Sequence, residues 1–136
     1  MHVRDKKGEM YETRLTWNSP FLSMFIEWRG MPIAYAHLNL QGERAELSDI
    51  RVNPSVGTKY SLLRQFLGCV RKRNFQGRGL GSQLLKLVID EVHLHGVRKI
   101  EGTMEGDIDR LTPWYKSFGF TIDEHNHRIS LDLKSD

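Results

Sequence analysis

Four apolar segments, joined by turns too short to hold a helix, fill the chain from Tyr11 to Val52 before any helical pattern appears. Tyr11, Thr13, Leu15 and Trp17 alternate with Glu12, Arg14 and Thr16, the period of a half-buried strand. Asn18-Ser19-Pro20 is turn chemistry, and Phe21 to Trp28 follows as a second, more apolar strand. Arg29-Gly30-Met31-Pro32 turns the chain into a third strand, Ile33 to Leu40, which is small at Ala34 and Ala36. Gln41-Gly42-Glu43 leads to a fourth, Arg44 to Val52. A parallel crossover needs about a dozen residues or more, so connections this short require antiparallel neighbours. The front of the molecule is therefore a meander.

The fourth strand breaks its own pattern. Ala45 and Leu47 share one parity, whereas Ile50 and Val52 share the other. One account is a β-bulge, an extra residue near Ser48 or Asp49 that restores a single apolar face; bulges gather beside functional sites. The other account is a strand buried on both faces, where parity carries no information.

Asn53-Pro54 ends that strand. Tyr60, Leu63, Leu67 and Val70 then recur at helical spacing ahead of Arg71-Lys72-Arg73, which predicts an amphipathic helix within Ser55–Asn74 ending in a basic run. A second helix starts near Ser82, with Leu84, Leu85, Val88, Ile89 and Val92 as its stripe and Gly96 as its stop. Val97 to Met104 reads as a strand. Thr112-Pro113 reads as an N-cap followed by proline at the first helical position, opening a short helix to about Phe118. Gly119 to Ile122 and His127 to Leu133 close as a hairpin. The order ββββ-α-α-β-α-ββ predicts an α/β (α+β) fold with a mixed, mostly antiparallel, twisted sheet of about seven strands. At 136 residues, without repeat or linker, the chain is expected to be a single domain over residues 1–136. Its apolar runs fall far short of the ~20 residues a membrane helix needs, and MHVRDKKGEM has no signal-peptide core, which sets a cytoplasmic expectation.

The densest chemistry lies in Gln76-Gly77-Arg78-Gly79-Leu80-Gly81, directly before the second helix. Glycines let the backbone approach a ligand and aim successive N–H groups one way. The first turn of a helix adds unpaired donors and partial positive charge, so the stretch can seat a diphosphate. The formal net charge of +3 suits an anionic ligand and does not require nucleic acid. No Gly-Lys-Ser/Thr follows, which excludes a Walker loop, and the G-x-G-x-x-G spacing of a dinucleotide fold is absent. Taken alone, the loop is also compatible with a plain flexible turn.

Three landmarks in order resemble one family. Gln76-x-x-Gly79-x-Gly81 is similar to the Q/R-x-x-G-x-G/A acyl-CoA motif of the GNAT (GCN5-related) N-acetyltransferases. Trp114-Tyr115-Lys116-Ser117-Phe118-Gly119-Phe120 resembles that family's Y-x-x-x-G-F ending, and Glu46 to Pro54 resembles its bulged strand. Two departures stand out. Pro54 and Gln76 lie 22 positions apart where members usually have only a few, so an inserted helix precedes the loop. The usual early helix pair also has no counterpart at Asn18-Ser19-Pro20.

The resemblance implies acetyl-CoA as co-substrate and a primary amine as acceptor, attacked directly in a ternary complex. Gln76, Gly77, Arg78, Gly79, Leu80, Gly81 and Ser82 would take the diphosphate, and the strand edge at Ile50, Arg51 and Val52 would take the pantetheine arm. The Val52 amide would stabilise charge developing on the thioester oxygen. Glu46 matches a strand position where the histone-acetylating branch carries a base acting through water, and Asp49, at the expected bulge, is the second candidate. Tyr115 matches the tyrosine that protonates the leaving thiolate; packing against Trp114 and Phe118 is its structural alternative. Glu46 and Asp49 can equally be solvated strand acids. No metal is expected: His93 and His95, two apart on a helix, face different ways, and His125 and His127 read as a solvated hairpin pair. Cys69, the single cysteine, reads as a small packed hydrophobe. The insertion could meet the cofactor's ribose phosphate, bind an acidic partner or nucleic acid, or build a homodimer through Leu63, Phe66 and Leu67. The main alternative to an enzyme is a non-catalytic CoA-binding or protein-interaction module of the same fold.

Overall fold

A computed structural model describes residues 2–52 and 79–133. The expected helix within Ser55–Asn74, Cys69, and Gln76 to Arg78 lie outside the described residues. Five strands open the chain: β1 (His2–Arg4), β2 (Met10–Asn18), β3 (Phe21–Trp28), β4 (Met31–Gln41) and β5 (Arg44–Val52). After them come helix α1 (Leu80–Leu94), β6 (Lys99–Thr103), helix α2 (Ile108–Ser117), β7 (Thr121–Asp123) and β8 (Arg128–Asp132). All eight strands form one sheet in the order β1-β2-β3-β4-β5-β6-β8-β7. The meander is antiparallel as expected, and β5 pairs with β6 in parallel. β1 is an eighth strand that its three residues were too short to announce by period. A tight turn joins Asn18 to Phe21, so no helix separates β2 from β3.

The parity fault in β5 is a bulge. His37 lies opposite Asp49 and Leu38 opposite Leu47, which leaves Ser48 as the extra residue. Ala45 and Leu47 before it, and Ile50 and Val52 after it, thereby oppose Leu40, Leu38, Ala36 and Ala34 on one face of β4. Helix α1 lies across this face, against β3, β4 and β5. Its Leu80, Leu84, Leu85, Val88 and Val92 are buried, and the fully buried Ala34 and Ala36 let it come close.

Both helices end on glycine caps. At α1 the Val97 N–H donates to the Val92 carbonyl and the Gly96 N–H to that of His93, with Gly96 at φ +83°. The start of α2 differs from expectation. Asp107 is its N-cap and its Oδ1 accepts from the Arg110 N–H, so Thr112 is interior and Pro113 sits in the second turn. An Asp three residues before Arg110 supplied the earlier stop to extended chain that Thr112-Pro113 only imitates. No described helix is long and apolar enough to cross a membrane.

Candidate active site

The sheet splits beside the bulge. Arg44–Leu47 of β5 pair with Lys99–Gly102 of β6, and the pairing stops at Leu47 while β5 continues beside β4 to Val52. A wedge opens between the diverging strands. It becomes a cleft of about 540 Å³ with Leu47–Val52 as one wall and Gly79–Ser82 at one end. Thr103, Glu105–Asp107, Arg110, Leu111, Trp114 and Tyr115 form the opposite wall.

Gly79 is the N-cap of α1 at φ +80°, ψ 8°, a conformation that costs an L side chain about 1–2 kcal/mol. The first intrahelical bond beyond it runs from the Gln83 N–H to the Gly79 carbonyl (3.2 Å). The amides of Leu80, Gly81 and Ser82 therefore head the helix, where its dipole is positive, and no acidic residue in the first turn opposes it. A Cβ on Gly81 would lie 3.5 Å from Val52 Cγ2 and 3.8 Å from the Trp114 ring. Glycine there keeps the passage between β5 and α2 open. Trp114 Nε1 donates to Ser82 Oγ (2.8 Å), tying the two helices across that passage.

Tyr115 is fixed by the end of its own helix. The Phe120 N–H donates to the Tyr115 carbonyl (3.2 Å) and the Gly119 N–H to that of Lys116 (3.0 Å), with Gly119 at φ +92°. Phe120 then packs edge-on against the Tyr115 ring at 5.3 Å. The spacing Tyr-x-x-x-Gly-Phe is thus a helix cap with its accompanying apolar contact, and it sets where the phenol sits. The side chain is 4% exposed yet lines the cleft. Burial first, and the charge of Asp49 second, push its phenol up to about 12.

Asp49 also lines the cleft, where it accepts from the Tyr35 hydroxyl (3.3 Å) and Arg51 Nε (3.2 Å). Glu46 does not reach the wall. It lies before the bulge and accepts two bonds from Arg128, at 2.8 and 3.2 Å, in a group that includes Glu101 and Thr103. Ile50, Arg51, Val52, Gly79, Leu80, Gly81 and Ser82 all line the cleft. Sequence reasoning missed Glu105 and Arg110 as wall residues, whose only advance signal was their place in the segment after β6. Among the described residues no three histidine, cysteine or acidic side chains gather as a metal site. His95 stacks on Trp17 (4.5 Å), and Asp123 accepts from the amides of His125 and Asn126 to shape the β7–β8 turn.

A wedge at a bulged strand, a glycine-led helix start and a capped tyrosine are the three landmarks of the resemblance, now in one cleft. The sequence profile of the Acetyltransferase (GNAT) family matches residues 2–120. The chain belongs to the GNAT acetyltransferase family. No curated protein matches the sequence. Among solved structures, the GNAT domain of S. lividans PAT superposes with a TM-score of 0.73 at 13% identity, covering 98% of this chain and 96% of that one. A GNAT family acetyltransferase from Elizabethkingia anophelis, solved with acetyl-CoA bound, gives 0.65 at 14% identity over 90% and 98%. The ribosomal-protein-S18-alanine N-acetyltransferase of Escherichia coli gives 0.64 at 20% identity over 88% and 74%. At these identities the likeness concerns the fold. In this GNAT chain a tight turn at Ser19–Pro20 joins β2 to β3.

Proposed function

We propose that this GNAT domain is an acetyl-CoA-dependent N-acetyltransferase that acetylates a primary amine by direct attack within a ternary complex. The observation that supports it best is the cleft itself: an interrupted strand edge, a helix start and a protonated phenol face one space. The residues fit the co-substrate. Gly79–Ser82 present amides to a diphosphate, with Gln76, Gly77 and Arg78 completing the motif in sequence, and Ile50–Val52 offer backbone to an extended amide-bearing arm. Bound acetyl-CoA would supply the activated acyl group.

The residues then divide the work. In this reading the amide of Val52 faces the charge that develops on the thioester oxygen. Asp49 draws an ammonium group, which titrates near ~10.4 when free, into the cleft by charge; its neutral fraction attacks, and the proton released as the nitrogen bonds to the acetyl carbon leaves past Asp49 through water to solvent. Glu46 fits that role less well, because protonating it would break its two-bonded pair with Arg128. Tyr115 holds its proton up to about pH 12, whereas a thiol like that of free cysteine has a pKa of ~8.5. Full transfer from phenol to thiolate would be uphill by about 5 kcal/mol. Tyr115 therefore acts as a hydrogen-bond donor to the leaving sulfur, and the proton finally comes from solvent.

Acetyl-CoA at 100 times its dissociation constant should stabilise the protein by about 2.7 kcal/mol in a melting experiment. Thiol release is then measured against a panel of peptides, polyamines and amino acids. Gly81→Glu keeps an ordinary backbone conformation and places a bulky anion in the passage, so it should abolish the stabilisation. Unchanged binding by that variant would remove the loop from the site. Stabilisation without thiol release from any amine would make the protein a CoA-binding module instead.

A further inference from the structure

The hairpin turn between β1 and β2 comes to rest on the glycine that opens α1. Gln83 of the first turn of α1 donates its side-chain amide to the Arg4 carbonyl, which ties β1 to that helix. A Cβ placed on Gly79 would lie 3.3 Å from Lys6 Cε, 3.4 Å from Cγ and 3.8 Å from Cδ. The stem of Lys6 is therefore laid across Gly79, at the end of the cleft.

Nothing about that position is casual. Asp5 is 6% exposed, and its carboxylate organises the turn. Oδ1 accepts from the Lys7 and Glu9 amides (2.8 and 3.0 Å), and Oδ2 from the buried Tyr11 hydroxyl (2.7 Å). Backbone bonds from Asp5 N–H to the Glu9 carbonyl and from Gly8 N–H to the Asp5 carbonyl close the turn. Lys6 projects from its second position. No described carboxylate lies within ion-pair distance of Lys6, although Arg14, Arg44, Arg51, Arg98 and Arg128 each have one. With its Cε over Gly79 at the head of α1, and no described carboxylate paired with it, the Lys6 ammonium suits an anionic ligand group.

We propose that Lys6 is a phosphate-binding residue of the coenzyme A site, delivered by the N-terminal hairpin. The inference rests on the reading that the cleft binds acetyl-CoA. Its partner is a phosphate of the ligand, either the diphosphate or the 3′-phosphate. No part of the acyl-CoA motif announces it, since the residue lies far upstream in an unrelated strand turn.

The test is direct titration of coenzyme A and of 3′-dephospho-coenzyme A by calorimetry, with wild type, Lys6→Ala, Lys6→Glu and Lys6→Arg. Lys6→Ala should raise the Kd for coenzyme A roughly 3- to 10-fold, and Lys6→Glu by more than about tenfold. Lys6→Arg should restore most of the affinity. The Lys6→Ala penalty should shrink as salt rises, because the contact is exposed. Melting temperatures without ligand should stay within about a degree, since an exposed lysine stem carries little fold stability. A penalty that disappears with the dephospho ligand assigns the 3′-phosphate; one that persists assigns the diphosphate. Equal affinity of wild type, Lys6→Ala and Lys6→Glu for coenzyme A would overturn the assignment while leaving the acetyl-CoA reading intact. Failure of wild type to bind coenzyme A at all would overturn both.

Discussion

Tyr115 shows how a single residue's chemistry is written by its surroundings. A phenol that holds its proton to about pH 12 cannot act as a base near neutrality, so only a donor's part is open to it. A hydrogen bond to a charged partner contributes about 1.5–3 kcal/mol. Tyr115→Phe should therefore slow thiol release roughly 10- to 100-fold while leaving the Kd for acetyl-CoA within about twofold. Equal losses in rate and affinity would point to packing instead. The same residue gives a pH signature. Its folded pKa lies above the unfolded value near 10, so its contribution is fully present below pH 10 and fades as pH rises toward about 12. Tyr115→Phe should remove a late step, near pH 12, from an alkaline absorbance titration. At this scale the sequence was informative wherever a residue sat inside a spaced motif. Asp49 was legible through the bulge, and Tyr115 through the glycine and phenylalanine that follow it. The places of Glu105 and Arg110 in the cleft wall, and of Lys6 beside Gly79, were not, because they come from contacts between distant parts of the chain that leave no local period.

Elements were read well where one residue type has one physical use. The parity switch in β5 pointed to an extra residue near Ser48 or Asp49 or to a strand buried on both faces, and the register decides for a bulge at Ser48, which keeps Ala45, Leu47, Ile50 and Val52 on one face. Gly96 marked the end of α1 because its φ of +83° suits glycine. The start of α2 was misjudged because Asp107 and Thr112 carry the same capping chemistry, and only tertiary packing chooses between them. The glycine cap of α2 supplies a prediction of its own. A Cβ at Gly119 would meet Leu131 Cδ1 at an ordinary 3.5 Å, so Gly119→Ala suffers only from its φ of +92°. The expected loss is about 1–2 kcal/mol, visible as a melting point lowered by several degrees. Because this cap also positions Tyr115, thiol release at a fully folded temperature should fall as well. An unchanged rate in a destabilised protein would separate the cap from the chemistry.

At the scale of the molecule, α1 is the cover of one apolar sheet face and the carrier of the Gly79–Ser82 amides. Leu84 is fully buried in that contact. Leu84→Ala should cost about 2–5 kcal/mol by chemical denaturation, with little change in slope. Added acetyl-CoA should recover part of that loss, because ligand and packing act on one helix. The meander, its antiparallel sense and the late hairpin were open to a reader of the chain, since alternation and turn residues are local. The eight-strand order was not, because the parallel neighbour of β5 arrives some fifty residues later. That join has a further consequence. Only four residue pairs connect β5 to β6, so the sheet is two plates meeting at a short seam. An elongated molecule lodged in the fork would complete the missing rungs on the β5 side, and the apo protein would be softest along the line its substrate later stiffens.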